Sequence, residues 1–245
     1  EESALIHAIF GKWLEPPQLP LEAECVVINA EPLSNITRAV EDRKPVIDKD
    51  ITIIGKLNGG NEPHILFQVP IGTPIKDLIE DCGGIDGEYG EVIIGGPYTG
   101  KAQDLDSSFV TKTSGGAIVT IPFPKYEGPI GLLVCACGAN EERLRDVAAK
   151  MGSEVVGVTK CKNVVDVKGA NKCKTPGDCP GQAEGIIKLK RSGAKRVLIS
   201  NCSDCSNTVM CCAPKMGLPV YHHTDHVFRT LDYPLTRRLP MEDNK

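Results

Sequence analysis

The sequence predicts an α/β plus α+β protein, in which an α+β domain precedes a small parallel-sheet α/β domain. Three observations support this. Residues 50–122 have the pattern of a hairpin, a helix and further strands, the prolines and glycines of residues 122–129 are typical of a linker, and residues 130–239 alternate apolar strands with amphipathic helices. The length of 245 residues suits about two domains.

Residues 1–48 are predicted to be the C-terminal remnant of a larger α/β unit. Apolar residues have helical spacing at residues 3–11 and again at residues 33–40. Between these two segments, a short apolar run at residues 25–29 reads as a strand. We therefore expect two helices and one strand here, and we expect the front of that unit to be absent from the sequence.

Residues 49–125 are predicted to form a β-grasp domain. Two apolar runs flank a glycine-containing turn at residues 58–61, which indicates a hairpin. Pro74 suits the first position of a helix that runs to Gly83. Strands are then expected at residues 91–94 and 117–121. A hairpin followed by a helix and further strands is the β-grasp order.

Residues 130–245 are predicted to form a cysteine-rich α/β redox domain. Three of its predicted strands run directly into cysteine, at Cys135 with Cys137, at Cys161, and at Cys202 with Cys205. The carboxyl ends of parallel strands meet at one edge of the sheet, where α/β folds place their chemistry. We therefore expect these thiols to gather there and to act as catalytic redox groups.

Cys202 and Cys205 form the sharpest motif, a Cys-X-X-Cys pair that contains Asp204. A helix is expected to begin within it, and a helix N-terminus favours the thiolate form of cysteine. The two-residue spacer lets the sulfurs reach disulfide distance, as in a dithiol that cycles by exchange. The same spacing also occurs in zinc sites, which remains the alternative.

A second set of cysteines has several interpretations. Cys173 and Cys179 lie in a polar loop that we expect at residues 171–181, and they could join Cys135, Cys137 and Cys161 in binding zinc or an iron–sulfur cluster. A second redox pair and unlinked thiols are the competing interpretations. No stretch has the tight run of four cysteines typical of bacterial ferredoxins.

Three histidines follow the last predicted strand. His222, His223 and His226 are expected to line the thiol site and transfer protons to the thiolates, with Asp204 nearby. Metal binding is the alternative, because residues 222 and 226 would share a face if the segment were helical. An ordinary surface position is the third interpretation.

Composition excludes several classes of partner. The net charge is −4 and aromatic residues make up 4% of the chain. Binding of nucleic acid is therefore not expected, because it usually requires a basic patch or aromatic side chains on which bases stack. No apolar run is long enough to span a membrane. The 11 cysteines accompany a normal apolar content, which predicts a cytoplasmic protein with reduced thiols.

The first half of the chain resembles the RnfC-like family. Glu1-Glu-Ser-Ala-Leu-Ile and Asn29-Ala-Glu-Pro-Leu-Ser-Asn-Ile are similar to the end of the flavin/nucleotide domain of RnfC and of its relative in complex I. Val69-Pro-Ile-Gly-Thr-Pro-Ile-Lys-Asp-Leu-Ile and Ile93-Ile-Gly-Gly-Pro-Tyr-Thr-Gly resemble their soluble ligand-binding β-grasp (SLBB) domain. The resemblance implies that residues 1–48 are the C-terminal remnant of a flavin/nucleotide-type domain. Any flavin site of that domain would belong to the intact protein and be broken in this fragment.

Taken together, the two halves resemble the electron-transfer proteins associated with D-proline reductase, the PrdC family, over essentially the whole chain, and the second half carries the most specific motifs. The similar segments are Ala136-Cys-Gly-Ala-Asn-Glu-Glu-Arg-Leu-Arg, Cys179-Pro-Gly-Gln-Ala-Glu, Ser200-Asn-Cys-Ser-Asp-Cys and Val220-Tyr-His-His-Thr-Asp-His. Some members of that family carry selenocysteine where this chain has Cys205. The resemblance implies transfer of electrons from an NADH-linked or flavoprotein donor to D-proline reductase subunits in amino-acid fermentation.

These observations lead to one expected function and one alternative. The expected function is electron transfer to D-proline reductase by thiol/disulfide or selenol-type exchange, with Cys205 facing the partner and Cys202 resolving the mixed disulfide. The alternative is a zinc- or Fe–S-binding docking module of a reductase complex. No cofactor is assigned with certainty to these 245 residues.

Overall fold

The computed structural model describes residues 2–14, 18–136, 138–167, 170–175, 181–201 and 208–235. The chain divides into two compact units, Glu1–Ile47 with Thr175–Cys179, and Asp48–Lys174 with Pro180–Lys245. The fold is mixed, with one parallel sheet, one sheet that contains both parallel and antiparallel pairs, and one two-stranded antiparallel ribbon.

The described residues of the first unit form the two predicted α-helices, α1 (Glu2–Phe10) and α2 (Ala30–Glu41), and a short 3-10 helix at Pro20–Ala23. Gly11 ends α1 with a left-handed φ of +68°. The strand predicted at residues 25–29 is wrong, because these residues carry no regular structure. An apolar run forms a strand only beside a partner strand, and Val26 is instead 81% exposed.

The second unit begins with a five-stranded sheet and one helix. The elements are β1 (Asp48–Gly55), β2 (His64–Pro70), α3 (Ile75–Asp81), β3 (Val92–Ile94), β4 (Lys101–Gln103) and β5 (Gly116–Val119). The strand order is β2-β1-β5-β3-β4, and only β1 and β5 run parallel. The predicted hairpin, helix and two later strands are confirmed, and β4 is an additional strand. Pro74 lies at the N-cap rather than in the first helical position.

The same unit continues with the parallel sheet and its helices. The elements are β6 (Pro129–Val134), α4 (Glu141–Lys150), β7 (Glu154–Lys160), β8 (Val164–Val167), β9 (Ala170–Cys173), α5 (Ala183–Arg191), β10 (Arg196–Ile199), α6 (Thr208–Cys212), β11 (Val220–His222) and α7 (Asp225–Thr230). The strand order is β11-β10-β6-β7 and every pair is parallel, which confirms the predicted α/β arrangement. Strands β8 and β9 form the antiparallel ribbon.

Apolar helix faces cover both sides of the parallel sheet. Helix α4 packs Leu144 and Val147 against Leu132 in one core cluster, while α5 packs Ile186 against Leu133 in a second cluster. Neighbouring residues of a strand point to opposite faces of a sheet, so Leu132 and Leu133 belong to different layers. The result is a three-layer arrangement.

Helix α7 packs on the outer face of the five-stranded sheet. Val227 joins Ile93 and Ile118 in a buried cluster, and the side-chain amide of Asn61 donates to the carbonyl oxygen of Thr230 at 2.7 Å. The residues that follow β11 therefore bind the five-stranded sheet directly. None of the helices in the described part of the chain has the length and apolar character needed to cross a membrane.

Candidate functional site

The parallel sheet brings the ends of β6, β7 and β10 to one edge, as the sequence predicts. The register pairs Val134 with Lys160 across β6 and β7. It also pairs Leu133 of β6 with Ile199 of β10. Extending this register by one residue beyond β6 and β7, and by two beyond β10, aligns Cys135, Cys161 and Asn201, and neighbouring strands lie about 4.8 Å apart.

Several predicted site residues lie outside the described residues. They are Cys137, Cys179, Cys202, Asp204 and Cys205. Asn201 is the described residue that immediately precedes Cys202 in the sequence, and it follows the end of β10. The roles assigned to the five residues stay predictions.

Ser200 joins the loop after β6 to the end of β10. Its Oγ accepts a hydrogen bond from the backbone N–H of Cys135 at 2.7 Å and lies 3.3 Å from the carbonyl oxygen of Cys135. The carbonyl oxygen of Ser200 in turn accepts from the N–H of Ala139 at 3.0 Å. Two backbone stretches that carry cysteine motifs are therefore fixed side by side.

Gly138 makes this close approach possible. It has a left-handed φ of +89°, and a Cβ placed there would lie 2.1 Å from the carbonyl oxygen of Ser200. The same Cβ would lie 3.1 Å from Cε1 of His223. A side chain at this position would push apart the loop after β6 and the end of β10, so glycine is required by the packing.

Cys161 is buried at the end of β7, where the side-chain amide of Gln182 contacts its sulfur. Gln182 Nε2 donates to Cys161 Sγ at 3.1 Å, and the backbone N–H of Cys161 donates to the carbonyl oxygen of Val134 at 2.9 Å. Gln182 lies in a motif that the sequence analysis singled out, but its contact with sulfur was not predicted.

The position predicted for Cys173 needs correction. Residues 171–173 belong to β9 rather than to a loop, and Cys173 pairs with Val164 of β8. The polar sequence Asn-Lys-Cys hides this strand, because a two-stranded ribbon requires no apolar core. Within the described ranges, no group of three or more His, Cys, Asp and Glu side chains could hold a metal ion.

His222 and His226 do not share a helix face, because His222 ends β11 and His226 lies on α7. The turn between them is stabilised by Asp225, whose Oδ2 accepts from the backbone N–H of His222 at 3.0 Å. The premise of the metal interpretation of these histidines is therefore wrong.

His223 stands at the carboxyl edge beside Gly138. Its Nδ1 lies 3.1 Å from the carbonyl oxygen of Asn201, which can only accept, so Nδ1 carries the proton and Nε2 is left as an acceptor. Burial and, to a smaller extent, the nearby Arg143 charge lower the pKa of His223 to about 4, against the opposing effect of the bond to Asn201. The imidazole is therefore neutral at physiological pH.

His226 turns instead toward the five-stranded sheet. Its Nε2 lies 2.7 Å from Oε1 of Glu91, and its ring packs on Phe123 with 4.2 Å between the ring centroids. Burial lowers the pKa of His226, and the bond to Glu91 only partly offsets this effect. A neutral His226 with its proton on Nε2 fits this geometry, because the carboxylate can only accept.

Glu91 is the centre of a buried charge cluster that joins β3 to α4 and α7. Arg143 donates to both of its carboxylate oxygens, and Lys150 Nζ lies 3.0 Å from Oε2. Burial alone raises the pKa of Glu91, but hydrogen bonds from His226 and Arg143 and the charge of Arg143 outweigh it and hold the pKa well below its usual range. Glu91 is therefore ionised.

A pocket of about 1040 Å³ lies between the β3–β4 hairpin and α4. One end is lined by Gly138, Ala139 and His223 at the carboxyl edge of the parallel sheet. The opposite wall includes all three residues of β4. The pocket therefore leads from the edge of the five-stranded sheet to the strand ends that carry the cysteines.

Comparison with known proteins identifies relatives for about half of the chain. No family model matches the sequence. The chain is 32% identical over 111 residues to the C subunit of the ion-translocating oxidoreductase complex of Methanosarcina acetivorans, an alignment that covers 45% of this chain and 24% of that protein. It is 33% identical over 119 residues to the cobalamin reductase PduS of Citrobacter freundii, covering 49% and 26% respectively.

A third relative extends the aligned region slightly. The C subunit of the Na⁺-translocating ferredoxin:NAD⁺ oxidoreductase complex of Acetobacterium woodii is 31% identical over 135 residues, which is 55% of this chain and 30% of that protein. The chain thus spans less than a third of the length of each of these relatives. The similarity to RnfC-type proteins and to PduS supports the RnfC-like resemblance seen in the sequence.

Proposed function

We propose that this chain belongs to an electron-transfer protein that passes reducing equivalents to D-proline reductase by thiol/disulfide or selenol-type exchange. The observation that carries the proposal is the shared carboxyl edge, where Cys135, Cys161 and the residue before Cys202 follow three neighbouring parallel strands. The three relatives described above are by name a reductase or part of an oxidoreductase complex, which supports electron transfer as the general role.

The domain assignment supports the same role. Residues 49–125 are proposed to be the SLBB-type β-grasp domain, on the strength of a hairpin, a helix and a mixed sheet in that order. Residues 130–245 are proposed to be the cysteine-rich redox domain of a PrdC-type protein, and residues 1–48 the end of a flavin/nucleotide-type domain. Flavin would then belong to the part of the protein that precedes these residues.

The exchange step conserves electrons and atoms. The Cys205 thiolate attacks one sulfur of an acceptor disulfide, which forms a mixed disulfide and releases one acceptor thiolate that takes up a proton. The Cys202 thiolate then attacks the Cys205 sulfur, which closes the Cys202–Cys205 disulfide and releases the second acceptor thiol. Two electrons pass to the acceptor in this sequence. An NADH-linked or flavoprotein donor returns two electrons, with Cys135, Cys137 and Cys161 as the proposed relay.

His223 is the histidine best suited to assist the thiols. It is neutral, its Nε2 is an acceptor, and it lines the pocket at the carboxyl edge. A pKa of about 4 makes it a weak base, so its role would be to orient a thiol and receive its hydrogen bond rather than to store the proton. His226 is engaged by Glu91 and is less suited to this task.

The test of the proposal is the Cys205→Ser variant of the full chain. We expect it to abolish reduction of oxidised D-proline reductase, because the nucleophile of the exchange is removed. Cys25→Ser, which changes a partly exposed thiol of the first unit, serves as the matched control and is expected to retain turnover. Turnover that survives in Cys205→Ser contradicts the proposal.

Metal analysis and a visible-range spectrum of anaerobically purified protein test the alternative. A brown, iron-containing sample favours a cluster-carrying docking module over an exchange protein. A colourless sample with a titratable pair of reactive thiols favours exchange. These measurements require no assumption about the electron donor.

A further inference from the structure

Strand β4 is an open edge of the five-stranded sheet. It is the last strand in the order β2-β1-β5-β3-β4, and no described strand pairs with its outer side. An edge strand presents backbone N–H and C=O groups that can pair with another chain. With only three residues, Lys101–Gln103, this edge is too short to be a general aggregation surface.

The pocket reaches this edge from the face of the sheet on which α7 packs. Ile93, Ala102 and Val227 belong to that face, and all three line the pocket. Lys101 and Gln103 line it as well, although successive side chains of a strand point to opposite faces. The pocket therefore extends past this face to the open side of β4.

The charges of the pocket suit a polypeptide better than a strongly charged ligand. Three basic side chains are balanced by three carboxylates, namely Lys101, Arg143 and Lys150 against Glu91, Asp104 and Asp146. Apolar surface is supplied by Ile93, Pro97 and Val227. A phosphate or a nucleotide gains little from balanced charge, whereas an extended peptide is itself neutral along its backbone and carries apolar side chains.

The pocket also ends at the place where an electron acceptor has to arrive. Gly138 and His223 line its far end, and both lie beside Ser200 and Asn201 at the end of β10. A segment lying along β4 would therefore point toward the strand ends that carry the cysteines.

The geometry points to β4 as the docking edge for the electron acceptor. We infer that an extended, cysteine-bearing segment of the acceptor adds as a strand to Lys101–Gln103 and lies in the pocket. This inference rests on the proposed exchange function and specifies how its partner is recognised. Backbone hydrogen bonds supply the affinity, and the pocket walls select the side chains.

The Thr99→Trp substitution tests the inference by filling the pocket without touching the strand ends. Thr99 is exposed and lines the pocket next to β4. We expect KM for oxidised D-proline reductase to rise about tenfold, while the rate with 2-hydroxyethyl disulfide, which needs no docking strand, stays unchanged. Thr113→Trp changes an exposed threonine of the same sheet module that does not line the pocket, and it should leave both quantities unchanged.

Hydrogen exchange of the wild-type protein gives a test that needs no variant. Addition of oxidised D-proline reductase should slow exchange of the backbone amides of Lys101–Gln103 and leave those at residues 65–67 on the opposite edge strand unchanged. An unchanged KM in Thr99→Trp together with unchanged exchange at β4 overturns the docking inference while thiol exchange still stands. A wild-type protein that reduces neither acceptor overturns the exchange function instead, and the inference with it.

Discussion

Oε1 of Glu91 lies 2.7 Å from Nε2 of His226, and this contact joins the five-stranded sheet to the helix that follows the last strand of the parallel sheet. Glu91 directly precedes β3, and the same carboxylate binds Arg143 and Lys150 from α4. Both partners of the central contact are buried. Groups from two helices, α4 and α7, therefore meet on one carboxylate beside β3, which holds the walls of the pocket in place.

The Glu91→Gln variant should be substantially less stable than the wild type. It removes the negative charge that compensates Arg143 and Lys150, whose side chains are 21% and 35% exposed. Loss of one partner of a fully buried ion pair costs about 3–5 kcal/mol, and partial exposure of the two cations reduces this to about 2–3 kcal/mol. Urea denaturation measures the free energy of unfolding.

Asp146→Asn is the matched control for Glu91→Gln. Asp146 contacts the same two cations, at 2.7 Å from Arg143 and 2.8 Å from Lys150, but its side chain is 45% exposed. We expect a loss of less than about 1 kcal/mol. Equal losses in the two variants would show that burial of Glu91 does not increase its contribution to the free energy of unfolding.

His223 should make the stability of the protein fall as the pH falls below about 6.5. Its pKa is about 4 in the folded state and about 6.5 in an unfolded chain, so the unfolded state binds more protons between these values. The contribution is complete above the unfolded pKa and is lost as the pH approaches the folded pKa. Between about pH 7 and pH 4.5 this amounts to about 2 kcal/mol.

The His223→Gln variant isolates this effect. Glutamine keeps an N–H donor for the carbonyl oxygen of Asn201 but does not titrate, so its unfolding free energy should fall by about 2 kcal/mol less over the same pH interval. Parallel stability curves for wild type and His223→Gln would contradict the lowered pKa.

The strands of the parallel sheet could be predicted because local pattern determines them. Apolar runs such as residues 131–134 and 197–199 are buried on both faces, and each is followed by helical spacing. Strand β4 has the sequence Lys-Ala-Gln and no apolar pattern, so its pairing with β3 was not predictable. The run at residues 25–29 has the pattern of a strand without a partner strand, which is why that prediction failed.

The carboxyl edge followed from the sequence, but the Glu91 cluster did not. Cysteines placed directly after apolar strands are a local signal, and the parallel pairing then aligns them. Glu91 and His226 are 135 residues apart, and nothing near either residue indicates the other. A contact between residues so far apart in the sequence becomes visible only after the two sheets are assembled, so Glu91, Arg143 and Lys150 were not recognised.

Gly138→Ala should separate the loop after β6 from the end of β10. The new Cβ would lie 2.1 Å from the carbonyl oxygen of Ser200, and neither backbone segment can move without breaking the bond from Ala139 to Ser200. The positive φ of +89° costs about 1–2 kcal/mol, and the clash adds about 2 kcal/mol. The total loss is measured as the free energy of unfolding.

Gly193→Ala separates the two contributions. Gly193 has a similar φ of +91°, but no atom lies within 4 Å of the Cβ that alanine would add. It should therefore show only the conformational cost of about 1–2 kcal/mol. If both alanine variants lose the same stability, the close approach of Gly138 to Ser200 does not constrain the edge.

Ser200→Ala tests whether the strand ends control thiol reactivity. The substitution removes the acceptor of the Cys135 N–H, which should cost about 1–2 kcal/mol and loosen the loop after β6. Alkylation of Cys135 by iodoacetamide, followed by mass spectrometry, should then be about threefold faster because the loop opens more often.

The control is Ser153→Ala, at the amino end of β7, where Oγ donates to the carbonyl oxygen of Tyr126 at 2.8 Å. This control loses a comparable hydrogen bond at the opposite edge of the same sheet, so it should leave the alkylation rate of Cys135 unchanged. An equal increase in both variants would mean that reactivity follows global stability rather than the Ser200 contact.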